Sequence, residues 1–371
     1  MPIYWSMLLN TVVFGIICYV TPRKKIYVEG EKVNRVNIIW VFIIVMYMLF
    51  FLGFRDKVLD TGTYIASFNA MPDNLKDLLL YIKVVDNGKG FSFIAGLFKI
   101  FISQEHYAWL FFLALVSCAC IFRTLYIYSV DFPLTAYLFI ATTTFTWLLN
   151  GSRQFLAVSI LFGFVDWLLE GKKIRYILLI LALTTIHSSV IFMAVIVLFI
   201  SSEEIFGKKM IFFMILTIIG TYYSEHVFEF LRTTSASLDY SATLGMGGGS
   251  SVLRLLESAV PILIVLLNLE NVKKIAPRSI KLAINMSLIG SCFYFASTFT
   301  DGILVGRMPI YFTIYNLFLL PWVIRNCFTR ESKKIVWVSC IVCYFAYFYY
   351  QMCIAWDGLM YVSDFLGISF R

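Results

Sequence analysis

Five residues able to do charge or proton chemistry lie in short polar or kinked stretches at the ends of apolar runs. Arg55 and Asp60 lie in GFRDKVLDTGTY (53–64), directly after an apolar run; Arg153 lies in NGSRQ (150–154), His187 in TTIHSSV (184–190) and Arg307 in GRMP (306–309), just after TDG. An arginine at mid-membrane depth costs about 2.5–3.5 kcal/mol on insertion scales, so such residues line a cavity or snorkel to water. Arginine forks bind phosphate oxygens bidentately, and several of them without an acidic metal cluster suit a diphosphate neutralised with no metal ion. In so apolar a chain, that diphosphate is expected on a lipid. His187 brings an imidazole, whose unperturbed pKa of about 6.5 suits proton transfer at neutral pH. Asp60 adds a carboxylate that could accept a proton or a sugar hydroxyl. Plainer readings stand beside these: snorkelling arginines, a satisfied structural histidine, and a DTGTY turn in which Asp60 or Thr61 caps, Gly62 bends and Tyr64 sits in an aromatic belt. His106 and His226 lie at segment edges and receive no role.

The elements that must hold these residues follow from composition. Of 371 residues, 60% are hydrophobic and 14% charged, against about 25% charged in soluble domains. The expected fold is therefore all-α, a polytopic integral membrane bundle forming one transmembrane domain over 1–371. The first run, Ile3 to Val20, lacks a basic leader and a small-residue cleavage site, so it reads as a retained span. The net charge of +8 is dispersed in short clusters between apolar runs; it reports topology and gives no nucleic-acid surface. All eight cysteines fall in or beside apolar segments. Cys340 and Cys343 are the nearest thing to a metal pair and have no second pair nearby, so no metal and no cofactor is expected.

Candidate spans are 3–20, 37–54, 107–128, 133–149, 153–169, 209–230, 253–270, 280–299, 303–324 and 335–356, with 174–200 left to decide. Basic clusters face the cytoplasm, and they occur at Arg23/Lys24/Lys25/Lys32/Arg35, Lys172/Lys173/Arg175, Lys208/Lys209, Lys273/Lys274/Arg278/Lys281 and Arg325/Arg330/Lys333/Lys334. A single helix over 174–200 would run about 40 Å and put Lys208 and Lys209 outside; two halves of about 20 Å return the chain inside. The reading is two short helices, 174–186 and 188–200, meeting at His187 below the outer surface. That gives about twelve crossings with both termini outside, and places Arg55, Arg153, His187 and Arg307 at one outer face. The outer loop 55–106 holds two stretches that look helical without spanning. NLKDLLLYIKVV has Leu75, Leu78, Leu79, Ile82 and Val85 on one face, and FSFIAGLFKIFIS gathers Ser92, Gly96, Lys99 and Ser103 on another, so both are expected on the outer interface. The Gly/Ser-rich 231–252 reads as a flexible outer loop and no P-loop, because no Gly-Lys-Ser/Thr follows.

FRDKVLDTGTY, GFSFIAGLFK, the tract from SRQFLAVSILFGFVDW to TTIHSSVIFMAVIVLF, and GRMPIYFTIYNLFLLP together resemble the EpsG family of Wzy-type polysaccharide polymerases. The tract from Arg153 to His187 carries most of this resemblance, and Asn87-Gly88-Lys89 departs from the pattern where an acidic or aromatic residue is expected. The resemblance implies a metal-independent glycosyltransferase of GT-C-like architecture in the bacterial inner membrane, with its site facing the periplasm. It would join a glycan carried on undecaprenyl diphosphate to the next lipid-linked repeat unit, with a chain-length regulator as a further partner. It assigns diphosphate binding to Arg55, Arg153 and Arg307 and deprotonation of the acceptor to His187 or Asp60; Tyr64, Asn150, Gln154 and Asp301 flank these as candidate sugar contacts.

Two other classes compete. A lipid-linked oligosaccharide flippase would carry internal repeats and mid-membrane residues reached from both sides; no repeat is visible and the polar residues gather at one face. A ligase would use the same chemistry on a different acceptor. The topology itself is open to test: in a background without accessible native cysteines, single cysteines at positions 57 and 208 should be labelled from opposite sides of the membrane. Labelling of both from one side would overturn the twofold crossing of 174–200.

Overall fold

The computed structural model describes residues 2–223, 248–300, 302, 305–356 and 359–369. Helix makes up 73% of the structure, which settles the class as all-α. Among the described residues, four helices are long and apolar enough to cross a membrane, Pro2–Val20, His106–Tyr128, Arg278–Phe299 and Arg330–Ala355; Val252–Leu267 with Leu269–Ile275, bent by 88°, adds a fifth if counted as one span. Large apolar side chains on these and neighbouring helices face outward, Leu267 at 85% exposure and Ile335 at 70%. So much outward apolar surface requires a hydrocarbon solvent, and the protein is a membrane protein. The chain forms two compact units, Met1–Ala194 with Glu331–Arg371, and Val195–Arg330.

The first unit contains α1 (Pro2–Val20), α2 (Ile38–Gly53), α3 (Thr61–Asn69), α4 (Leu75–Val84), α5 (Lys89–Phe101), α6 (His106–Tyr128), α7 (Phe132–Ala141), α8 (Ser152–Gly163), α9 (Asp166–Leu169) and α10 (Lys173–Thr184), with α11 (Ile191–Phe199) beginning at its edge. α6 is the post of this unit, packed by α2 on one side and α8 on the other. Small residues allow the approach, as in membrane helix pairs generally. A Cβ on Gly53 would stand 2.6 Å from the Phe111 ring, and one on Gly163 would stand 2.8 Å from Cys120. Near the far end of α8, Thr124 donates to Phe162 O (2.8 Å), and Arg123 donates to Gly163 O (2.9 Å) and Asp166 (2.6 Å). The start of α8 is thereby carried to the loop that follows α2, where Arg55 lies.

Two features modify the expected pattern. The basic segment 24–35 forms an antiparallel hairpin, Lys24–Val28 against Glu31–Arg35. Ile26 pairs with Val33, and the two-residue turn Glu29-Gly30 has positive φ at both positions (48° and 86°), as a tight hairpin turn requires. In the outer loop, α4 and α5 form where two helices were expected, but the small and polar face of α5 turns inward. Leu78 of α4, fully buried, occupies the space a Cβ on Gly96 would need (2.2 Å). Lys99 is only 8% exposed; its ammonium donates to Asn69 O (2.9 Å) and Met71 O (2.6 Å) and pairs with Asp73 (2.9 Å). A lysine with three oxygen partners can be buried where an unpartnered one cannot. Leu75, Leu79 and Leu80 of α4 remain exposed.

In the second unit, α12 (Lys208–Tyr222) and the helices Val252–Leu267 and Asn316–Asn326 pack around Arg278–Phe299. Within the run 303–324, the described residues form a 3-10 turn at Val305–Arg307, a short helix Ile310–Thr313 and the helix Asn316–Asn326, in place of one continuous helix. The expected flexible loop 231–252 lies outside the described residues up to 247. Its last part is tightly knit: Ser250 N donates to Ser297 O (2.9 Å), and a Cβ on Gly249 would stand 2.2 Å from Thr298 O. Asn285, fully buried, donates to Ser201 O (2.8 Å) and Glu204 O (2.7 Å) and accepts from Phe206 N (3.2 Å). Leaving a buried polar group without its partner costs about 1–3 kcal/mol. Asn285→Leu is therefore expected to lower the detergent thermal midpoint by several degrees, and an unchanged midpoint would show that the 201–206 turn does not need this side chain.

Candidate active site

The loop 55–64 is bound to the start of α8 by three hydrogen bonds. Arg55 Nη2 donates to Leu148 O (2.9 Å), Gly151 N donates to Asp60 Oδ2 (3.1 Å), and Arg153 N donates to the Tyr64 hydroxyl (3.2 Å). The reason lies in helix ends. The first amides of a helix have no partner within it, and Gly151, at the cap position with φ 78°, has no side chain to supply one. Asp60 and Tyr64 supply the acceptors from across the fold, and the carboxylate also meets the positive end of the helix dipole. Asp60 makes no side-chain cap to α3, its own helix. It caps α8 instead, which corrects the simple turn-capping reading.

Arg55 is 1% exposed. Its guanidinium donates to Leu52 O, to Thr61 Oγ1 (2.9 Å) and to Leu148 O, so all three nitrogens are engaged within the protein. Burial pulls its pKa down to about 10, partly opposed by Tyr361, Tyr64 and Tyr4. It stays charged at neutral pH, and because a base with a depressed folded pKa holds its proton less firmly than in the unfolded chain, this cost of burial is relieved only above about pH 10. The C-terminal segment closes over the same loop. Asp56 N donates to Val362 O (2.9 Å), Tyr361 donates to Phe51 O (2.9 Å), and Phe54 stacks on Phe365 at 4.4 Å. Asp56 also accepts from Tyr107 (2.7 Å) and from Asp364 N (2.7 Å), and lies 3.0 Å from His106 Nε2. His106, given no role from sequence, thus helps hold this strap.

Arg153, half-buried, lies with its guanidinium carbon 5.9 Å above the Phe91 ring. Gly88 lies beside it: at φ 69°, a Cβ there would stand 2.9 Å from Arg153 Nη1 and 3.4 Å from Ile186 O. The departing Asn87-Gly88-Lys89 stretch therefore sits against Arg153 and the break before His187, where a larger residue than glycine would displace the guanidinium. The α10–α11 break falls where the charge pattern requires it. α10 ends at Thr184, Gly90 N donates to Thr185 O (2.8 Å), and His187 is extended (φ −148°, ψ 121°). His187 Nδ1 lies 2.8 Å from Ser189 Oγ, which Gln154 Nε2 approaches at 3.5 Å. Burial pushes the Tyr64 phenol up, with Arg153 pulling the other way, so it meets α8 as a neutral hydroxyl. Arg55, Asp60, Tyr64, Asn150, Arg153, Gln154 and His187 all belong to the first unit, whereas Arg307 belongs to the second and Asp301 lies outside the described residues. Among the described residues, no group of three or more His, Cys, Asp or Glu could hold a metal ion.

A family model described as the EpsG family matches residues 38–361. The chain belongs to the EpsG family. That membership points to a polysaccharide polymerase-type membrane protein with glycosyltransferase-like character. No curated protein and no solved structure matches the chain. In this EpsG-family chain, Thr61, Gly88, Phe91 and Ser189 support the site: Gly88 and Phe91 through Arg153, distant in the chain, and Thr61 and Ser189 through Arg55 and His187 close by.

Arg55 and Arg153 should separate by experiment. Arg55→Met leaves buried carbonyls without a donor, at about 1–3 kcal/mol each, and should lower the detergent thermal midpoint clearly; Arg153→Met should leave it nearly unchanged. Equal midpoints in the two variants would show that the hydrogen bonds of Arg55 do not hold the loop.

Proposed function

We propose that the protein is an O-antigen or exopolysaccharide polymerase. It transfers a growing glycan from undecaprenyl diphosphate to the non-reducing-end sugar of a lipid-linked repeat unit, at the outer face of the plasma membrane. The observation that carries this reading is the clustering of Arg153, Gly88, the 185–187 break and His187 around the capped start of α8. A guanidinium held by an aromatic face suits the diphosphate, and an imidazole oriented through Nδ1 suits proton removal from a sugar hydroxyl.

In the reaction, the acceptor hydroxyl oxygen forms a bond to the anomeric carbon of the donor as the bond from that carbon to the diphosphate oxygen breaks. The acceptor proton passes to the His187 imidazole, and the electron pair of the broken bond leaves with the diphosphate. Charge builds on that leaving group, so fixed donors there contribute most. Arg153 is the direct ligand in this scheme, and Arg307 is proposed as a diphosphate ligand on its sequence motif alone. Arg55 acts by positioning: it fixes the loop that carries Asp60 and Tyr64. Asp60, already bonded to Gly151, is the weaker candidate for the base. Asn150, Gln154 and Tyr64 remain proposed sugar contacts. About twelve crossings, set by the basic clusters, and a GT-C-like arrangement complete the proposal.

Cells lacking the protein should still attach one repeat unit to their surface lipid but lose the ladder of longer chains. Arg153→Ala and His187→Ala are each expected to abolish the ladder at unchanged protein level. Loss of all attachment in the deletion strain would point instead to a flippase or ligase, and a normal ladder in either variant would remove that residue from the site.

A further inference from the structure

The helix Val252–Leu267 of the second unit carries polar residues that the polymerase scheme leaves without work. Arg254 and Glu257, three residues apart, share a face, and Glu257 lies about 8 Å in from the helix start. Arg254 acts electrostatically both on Glu257 and on Tyr294 of the helix Arg278–Phe299. Pro261, inside the same helix, has no amide hydrogen, so the Glu257 carbonyl loses its helical donor and the backbone opens locally. Beside it, Asn316 Nδ2 donates to Ser258 O (3.0 Å), and Ser258 Oγ lies 3.5 Å from Ser291 Oγ. Asn316 is 5% exposed, and its Oδ1 has no donor among the described residues. The segment bearing Arg307 meets the residues one turn beyond Tyr294 and just before the helix Val252–Leu267: a Cβ on Gly306 would stand 3.8 Å from Ser297 and 2.6 Å from Ser250 Oγ.

Ionisable residues inside a membrane are costly and mark functional sites by default, and a buried acceptor without a donor calls for a hydroxyl or amide that the described residues do not provide. A plain ion pair closing a helix end would account for Arg254 and Glu257. It would not account for the orphaned Asn316 oxygen or for the aromatic Tyr294 on the opposite helix.

We infer that Glu257, Tyr294 and Asn316 form a subsite for pyranose hydroxyls of the lipid-linked glycan, with Arg254 positioning the Glu257 carboxylate; this rests on the polymerase reading. A carboxylate can accept from two adjacent sugar hydroxyls, a tyrosine ring offers an apolar face to the pyranose, and Asn316 Oδ1 takes a third hydroxyl.

The test compares binding of undecaprenyl-diphosphate-linked oligosaccharide with binding of bare undecaprenyl diphosphate, using purified full-length protein and its tryptophan fluorescence. The wild type is expected to favour the glycosylated lipid, and Glu257→Gln to lose about tenfold of that preference while still binding the bare lipid. The charge-swapped Arg254→Glu/Glu257→Arg double variant should not restore it. An unchanged preference in Glu257→Gln, restoration by the swap, or loss of both lipids together would overturn the subsite, the last two by making the pair structural. Chain extension by the wild type is measured alongside. Sugar-dependent binding without extension would remove the polymerase reading while leaving the subsite in place.

Discussion

The start of α8 is the constraint on which the rest of the first unit depends. A helix that begins at a glycine with positive φ cannot cap itself, yet its first amides must be satisfied in a setting poor in water. Asp60 and Tyr64 meet that need from about ninety residues away, and Arg55 ties the same loop to Leu148 O. Because Arg153 is the second residue of α8, its side chain is only as well placed as those caps make it. Capping and function are therefore one arrangement: the groups that satisfy orphan amides also aim the guanidinium.

The same economy explains why a charged residue is spent at Arg55. Burying a guanidinium among three neutral acceptors is costly, and burial lowers its proton affinity. In return, one side chain joins the end of α2, the start of α3 and the turn before α8. The Leu52 carbonyl lies at the negative end of α2, where a cation is favoured. Packing of α2 and α8 on either side of α6, through Gly53 and Gly163, brings those three points within reach of one another. The strap 359–369 then covers the loop, with Asp56 and its partners His106 and Tyr107 holding it down.

Much of this was legible in the chain. Hydropathy and charge placed helix termini near Pro2–Val20, Ile38–Gly53 and His106–Tyr128. The requirement that Lys208 return to the cytoplasmic side placed a break at His187, where α10 ends and the backbone is extended. What could not be read was pairing at a distance. Nothing near Asp60 in sequence announces Gly151, and nothing near Arg55 announces Leu148 O. The α5 face bearing Ser92, Gly96 and Lys99 looked solvated because lysine is usually exposed; three oxygens from the 69–73 turn reverse that preference. The 24–35 hairpin was obscured by its own charge, although the Glu29-Gly30 turn between alternating residues was a usable signal.

The contrast between Arg55 and Arg153 bears on how such a site treats an anion. Arg55 has its nitrogens committed to oxygens of the protein, so its charge acts on a ligand only through space and through the loop it holds. Arg153 is fixed differently, by the face of Phe91 and the Tyr64 phenol, with no salt bridge among the described residues. Aromatic contacts restrain a guanidinium while neutralising little of its charge, whereas a carboxylate partner would have to be displaced before a phosphate could bind. An arginine held in this way pays most of its ordering cost before the ligand arrives and keeps donors directed at it. Such preorganisation gives the greatest advantage to a group whose negative charge grows during the reaction, and a departing diphosphate is such a group.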